Sequence, residues 1–591
     1  MRTNKQIRHL ARVLAVIAIT AAIQPAEGVT VIRNARIFDG DAVIERASVV
    51  IRDTRIAGIE AEPTTVDGAT EVDATGMTLL PGLIDCHTHS WGTALQEALN
   101  FGVTTVLDMF TEPTLAANWR REQRGGPVPN RADIFSAGVL VTVAGGHGTQ
   151  FGVAIPTLDD PDETEAFVAA RIAEGSDFIK IIHEAGSARW RFPTFDGDQL
   201  KRIATAAHDG GKLALFHVGT ADGAGMAVAA GADGLMHVYR DEGGADLIAA
   251  IRETGTFVVP TLAVTENMLG LSNPDVLAAD PRISDYLSAN AEANLKRSFT
   301  PGQNHAAMET ALGNVRALFE AGVPILAGTD AVNPGVTHGA SLHRELELLA
   351  TAGMPNVDIL RAATSNAADA FRLHDRGRIA EGKKADLVLV HGNPLQDLAT
   401  TRDIVGIWKD GVRFKRQRND RSTDRPSQEP RGLGAFGPGT DVAESGWSPS
   451  TDSLAGGKST VELTIVARTG GSGGALRIQG DNAPGYGYPW SGAMVNLGSA
   501  MMEPVNIGRS GKLVFDARGE GKPYRAMAFA ENLGQMPAIV EFNASADWQR
   551  VEIPLTEFPD FDPRGAMAFF IGSPSELGPF WLEIDNVALI E

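Results

Sequence analysis

Pro81-Gly82-Leu83-Ile84-Asp85-Cys86-His87-Thr88-His89 is an apolar run that ends in two histidines spaced two apart. On a β-strand, side chains two apart face the same way, so His87 and His89 can aim both imidazoles at one point beyond the strand's end. Cys86 alternates to the opposite strand face and reads as a packing residue. Suitable metal-binding partners recur downstream, each closing another strand-like run: Lys180 in 177–182, His217 in 213–218, His237 in 234–238 and Asp330 in 325–330. The six side chains come from five strands and converge on one site suited to divalent cations.

The same alternation extends along the central region. From 74 to 371, short apolar runs alternate with helix-like stretches, the pattern of repeated βα units. Eight strands are counted at 79–89, 103–110, 133–141, 177–182, 212–218, 234–238, 256–264 and 323–331, which implies an α/β fold built on a (β/α)8 TIM barrel over 79–375. The candidate ligands fall at strand ends, where such barrels place their chemistry. A helical insertion at 267–321 is longer than a return helix needs and reads as a lid over the pocket or as an outer layer. Strand-like segments at 29–78 and 376–414 flank the barrel and suggest one small composite β-sandwich domain made from both pieces. A polar, proline-containing stretch without periodicity makes 415–433 a linker. Beyond it, 434–591 alternates apolar and polar residues at period two between glycine-rich turns, as an all-β jelly-roll domain would.

A chain of 591 residues exceeds what one core usually serves, and 43% hydrophobic residues can fill several. The formal charge of -21 makes nucleic acid and anionic membrane surfaces poor partners. Arg2, Lys5, Arg8 and Arg12 precede an apolar run at 13–23 and then Gln24-Pro25-Ala26-Glu27-Gly28. That order reads as a signal peptide over 1–28, with export to the periplasm or medium. The run is shorter than the roughly 20 residues a bilayer span needs, so no transmembrane segment is expected in the mature chain. An uncleaved anchor or a frayed helix is the competing reading. Cys86 is the single cysteine, so no intramolecular disulfide forms.

Taken together, these residues resemble the amidohydrolase superfamily, and within it the imidazolonepropionase-like and prolidase-like metal-dependent hydrolases. The resemblance spans roughly 29–411. It rests on Pro81 to His89, Gly102-Val103-Thr104-Thr105-Val106, Lys180 within its strand, His217, His237, Ala327-Gly328-Thr329-Asp330, Ala362-Ala363-Thr364-Ser365-Asn366 and the return Gly377-Arg378-Ile379-Ala380-Glu381-Gly382. It implies that Lys180 is carbamylated by carbon dioxide and bridges two divalent cations, usually zinc. His87, His89 and Asp330 would hold one of them, and His217 and His237 the other. It further implies a hydroxide shared by both metals that attacks an amide C–N bond of a small molecule such as a dipeptide or N-acyl amino acid, with Asp330 as proton acceptor and donor. The physics agrees, since desolvation beside cations disfavours an ammonium and leaves the neutral amine that captures carbon dioxide.

Substrate contacts are assigned to His147 in its glycine-rich loop, to Tyr239 two residues after His237, and to His338 beyond Asp330; a loop-stabilising or packing role competes for each. A deaminase or a lactone or ester hydrolase would use the same scaffold, although deaminase relatives commonly manage with one metal and no bridging lysine. A non-catalytic envelope binding protein is the reading from another class, and the complete ligand set argues against it. The C-terminal region is similar to CIA30-like and carbohydrate-binding jelly-roll modules, on Gly446-Trp447-Ser448-Pro449, Tyr486-Gly487-Tyr488-Pro489-Trp490 and the closing Trp581 to Leu589. Its tryptophans would suit glycan contact or a β-sandwich core, and a stabilising role is favoured. A homo-oligomer is compatible with the sequence.

Overall fold

In the computed structural model, strand segments from both flanks of the central region meet in one sheet. The structure describes residues 28–591 apart from 63–67, 150–154, 187–190, 300–301, 419–426, 435, 438–441, 443–444, 453–457, 470–472, 484–488, 499–503 and 534–536. The expected signal segment therefore lies almost wholly outside the described residues, as does the middle of the linker. The flanking sheet runs Val412–Phe414, Ile404–Lys409, Leu387–His391, Met77–Pro81, Val29–Phe38, Val43–Arg52, Arg55–Glu60, with Thr70–Asp73 beside Val29–Phe38. Its eight strands form one hydrogen-bonded sheet that curls back on itself, Arg55 bridging Lys384, so that both flanks face a common core. Met77–Pro81 joins the two flanks from inside the sheet, with Leu387 opposite Pro81 and Leu389 opposite Leu79 on one side and Val29–Phe38 on the other. Ile37, Val49, Leu79, Leu387 and Trp408 form its core.

Gly82 separates this sheet from the strand that carries the two histidines. A side chain there would strike Thr104, whose Oγ1 would lie 2.1 Å from a Cβ. Only glycine lets the chain pass so near its neighbour and leave one sheet for the next.

The central region holds two parallel sheets. One contains Leu83–Thr88, Val103–Asp108 and Asp133–Ser136; the other runs Ile179–Ile182, Ala214–His217, Gly234–Met236, Phe257–Val259. Isolated bridges connect them, Val141 to Ile181 on one side and, on the other, Val258 to Ile325 and Thr88 to Ala331. Side chains from both sheets, among them Ile84, Cys86, Leu107, Leu215, Met236 and Val259, pack in a common apolar cluster. The continuous eight-stranded ladder of the sequence reading is not formed. Residues 323–331 make single bridges rather than a strand, and Asp330 at φ 64 cannot extend the pleat. The strand expected over 256–264 stops at Val259, because Pro260 has no N–H to give a ladder and Thr261 turns left-handed at φ 51; the helix Leu262–Met268 follows.

Helices with one apolar stripe cover the sheets. In Gly197–Asp209 the stripe is Leu200, Ile203, Ala204 and Ala207, and the Asp196 carboxylate accepts from Gln199 N to cap the first turn. The long insertion contributes the short helices Asp275–Ala278, Pro281–Ser284 and Ala289–Leu295. Asn294 Nδ2 donates to the carbonyls of Asn333 at 2.8 Å and Val336 at 2.7 Å, tying the insertion to the loop that follows Asp330.

The C-terminal region is largely β, in two antiparallel sheets whose inner faces share one core that includes Leu476, Phe515, Ala526, Phe569 and Leu582. Trp447 is buried there and donates Nε1–H to Leu433 O. Trp548 lies under the Arg468 guanidinium, and Arg477 and Arg518 flank Trp581. Among the described residues no helix is long and apolar enough to cross a membrane.

Candidate active site

Strand alternation and three left-handed residues build the site. Leu83–Thr88 delivers His87 and His89, Ile179–Ile182 delivers Lys180, Ala214–His217 ends on His217, and His237 follows Gly234–Met236. His237 at φ 84, Thr261 at φ 51 and Asp330 at φ 64 all occupy a region that non-glycine residues rarely adopt. Such conformations persist where the surroundings over-determine them, and they concentrate at functional sites.

All six expected ligands are brought together. Asp330 Oδ1 lies 2.8 Å from His89 Nε2 and 3.3 Å from His87 Nε2. Lys180 Nζ lies 3.4 Å from His87 Nε2, and His237 Nε2 lies 3.0 Å from His217 Nδ1. The His87 and His237 rings, 4.7 Å apart at their centroids, connect the two groups. Two ligand atoms on one tetrahedral zinc, each at about 2.0–2.1 Å, sit about 3.3 Å from one another, so these separations fit metal coordination. The chemistry of the donors fits too: four imidazoles, one carboxylate and one amine suit a borderline divalent cation.

Burial sets the protonation states. It pushes the Lys180 ammonium down to about 7, against the opposing pull of Asp330 and Asp108, so a neutral amine is accessible near physiological pH. Burial also holds His87 and His217 well below the usual histidine value, and takes His237 to about 3. These rings are neutral and their lone pairs are available. Burial disfavours the Asp330 carboxylate, but the hydrogen bond from His89 and the nearby positive groups outweigh it and keep the carboxyl below its ordinary value.

Further carboxylates support the ligands, and the sequence reading did not single them out. Asp85 accepts from Thr329 N at 3.0 Å, Thr329 Oγ1 at 2.7 Å and His87 N at 3.2 Å, so it couples the two segments that carry His87 and Asp330. Its signal was available, since Asp85 shares the alternation of His87 and His89. Asp108 accepts from Ser90 N and Ser136 Oγ. Glu345 accepts from Leu262 N at 3.0 Å and Ala263 N at 2.7 Å, while Thr261 Oγ1 lies 2.7 Å from His237 Nδ1. Nothing local in the sequence marks these last two residues.

The residues expected to touch substrate are placed differently from one another. His147 stands with its ring 4.7 Å from that of His217, at the edge of the second pair. His338 is buried in the loop after Asp330, and burial, with His89 nearby adding to it, lowers its pKa to about 4. Tyr239 is packed in the core against Gly243, and its buried hydroxyl has no hydrogen-bond partner among the described residues. Glu184 and Arg240 both lie against Gly219 on the His217 side. Trp91 and Phe110 flank the His89 ring.

The cluster Asp133, Asp386 and Asp410 also brings three carboxylates together, but ammonium groups fill it. Lys409 Nζ lies 3.3 Å from Asp133 and 3.0 Å from Asp410, Lys384 reaches both, and Arg376 Nη1 donates to Asp133 at 2.7 Å. It is an ion-pair cluster joining the third strand of the central region to the flanking sheet.

The chain is similar to known hydrolases over its central region. Ochratoxinase from Aspergillus niger is 27% identical over 480 residues, covering 70% of this chain and 92% of that enzyme. Imidazolonepropionase from Cereibacter sphaeroides is 25% identical over 402 residues, covering 61% of this chain and 91% of its own. The crystal structure of a Xaa-Pro dipeptidase with bound methionine in the active site superposes with a TM-score of 0.52 at 25% identity, covering 66% of this chain and all of the dipeptidase. Residues 78–413 match the model of the Amidohydrolase family, and with its histidines, lysine and aspartate gathered at one site the chain belongs to that family and is a hydrolase acting on carbon–nitrogen bonds.

Proposed function

We propose that this enzyme is a binuclear metal-dependent amidohydrolase that cleaves the amide bond of a small molecule of the dipeptide or N-acyl amino acid class. The observation that carries the reading is the meeting of two groups: His87, His89, Lys180 and Asp330, joined by contacts of 2.8–3.4 Å, and His217 with His237 at 3.0 Å, the His87 and His237 rings standing 4.7 Å apart. His87, His89 and Asp330 would hold one cation and His217 and His237 the other, with zinc suited to these donors. Lys180, buried and able to lose its proton, would be the group to take up carbon dioxide and offer the carbamate to the cations. Divalent cations held by these residues would supply an activated water and a Lewis acid for a substrate carbonyl. Asp330 accepts the proton of the attacking water and returns it to the departing amine. His147 and Arg240, on the His217 side, are placed to meet a substrate carboxylate. The neighbours named as ochratoxinase and Xaa-Pro dipeptidase support amide substrates.

The bridged pair of parallel sheets supports a closed barrel whose ligands sit at the strand ends. The two C-terminal sheets support a jelly-roll accessory domain with a stabilising role. Arginines over Trp548 and Trp581 occupy faces that a sugar would need, which favours that role over glycan contact. Export to the periplasm or medium rests on the basic and apolar order of the first 28 residues.

Elemental analysis of protein purified with zinc and bicarbonate, beside Lys180→Ala, tests the reading. Two metals per chain, falling to one or fewer in the variant, are expected. One metal in both proteins would turn the search to deaminase-like substrates, and none would overturn the metal-dependent mechanism.

A further inference from the structure

We infer that Thr261, held in place by Glu345, is a positioning residue that fixes the tautomer of His237 and with it the ability of the His217–His237 pair to hold a cation; this rests on the metal-site reading above. A neutral imidazole carries one N–H, and the bond made by one ring nitrogen decides whether the other offers a lone pair. His237 Nδ1 is 2.7 Å from Thr261 Oγ1, and its Nε2 is 3.0 Å from His217 Nδ1. With Nδ1–H donated to the threonine hydroxyl, the Nε2 lone pair faces the metal position. Without that acceptor the proton is free to reside on Nε2, where it blocks coordination.

Thr261 reaches this spot only through an unusual backbone. It sits at φ 51 and ψ 49, a region that β-branched residues seldom enter, directly before the helix Leu262–Met268. Two contacts hold it there. Thr261 O accepts from Thr265 N at 3.1 Å, and the fully buried Glu345 carboxylate takes the next two backbone N–H groups, Leu262 at 3.0 Å and Ala263 at 2.7 Å. Among the described residues no ion pair to Glu345 is found; its recorded hydrogen bonds are those two at the turn that presents the threonine.

The test uses the full-length protein, loaded with zinc in bicarbonate and challenged with a chelator, with zinc content and release rate as the readouts. Thr261→Val keeps the shape and removes the acceptor. It is expected to drop from two zinc ions to near one, with the weaker ion released at least tenfold faster, since partners of metal-binding histidines contribute about 10–100-fold to affinity. Thr261→Ser restores the hydroxyl and is expected to restore the second ion, which mere filling of space would not do. Glu345→Leu is expected to resemble Thr261→Val. Should the valine or leucine variant fail to fold, Thr261→Ala against Thr261→Ser gives the same contrast. Equal zinc content and release in the alanine or valine protein and the wild type overturns the inference while leaving the binuclear site intact. Zinc absent from the wild type itself overturns the metal-site reading instead.

Discussion

Asp330 faces two histidines with one oxygen, and replacement by asparagine would preserve its size while removing both the charge and the proton-accepting capacity. Asp330→Asn is expected to lower kcat by about 10²–10⁴-fold, the range of a lost general acid–base group, and to weaken zinc retention. Steady-state kinetics beside elemental analysis checks it, and a variant with wild-type kcat would remove Asp330 from proton transfer. The converging residues could be read from sequence because apolar strand-like runs carry or precede each of them, and alternation aligns His87 with His89. Asp85 follows the same logic and was open to the same reading. Thr261 and Glu345 were not, since their roles come from a meeting of segments far apart in the chain. For Tyr239, spacing from His237 alone suggested the pocket, whereas the ring packs against Gly243.

Among the elements, the helix Ala340–Thr351 carries two buried titratable groups, Glu345 toward the site and His343 away from it. His343 sits between Thr401 Oγ1 at 2.9 Å and Phe101 O at 3.1 Å, and burial, with Arg402 and its neighbours adding to it, lowers its pKa to about 3. Its unfolded value is near 6.5. Between those values the unfolded chain binds a proton that the folded chain refuses, so stability falls as pH drops from about 6.5 toward 3, by up to about 1.4 kcal/mol per pH unit. Urea midpoints at pH 7 and pH 5 are expected to differ less for His343→Gln than for the wild type; equal differences would show that this ring does not set the acid limit. Element boundaries were less readable than element types. The strand foreseen at 256–264 stops before Pro260, a breaker the local sequence does hold, while the helix from Leu262 has its first N–H groups taken by the distant Glu345 carboxylate, which no local window contains.

For the whole molecule, the pairing of the two flanks was visible in their strand-like alternation, but their union in one sheet depended on a register that composition does not specify. The cluster around Asp133 fastens that sheet to the central region. Lys409 is fully buried within it, and Lys409→Met would leave buried carboxylates short of a cation. A loss of about 3–5 kcal/mol is expected, read from the urea midpoint; a change under about 1 kcal/mol would mean that Arg376 and Lys384 suffice. Met77–Pro81, one residue upstream of the strand with the two histidines, pairs with Leu387–His391, a partner made roughly 300 residues later. Synthesis therefore reaches the first two metal ligands long before the strand that anchors their approach exists. A nascent chain stopped short of Leu387 would hold every candidate ligand yet lack the strand that braces their approach, so the site's support is completed only when nearly the entire hydrolase portion has been made.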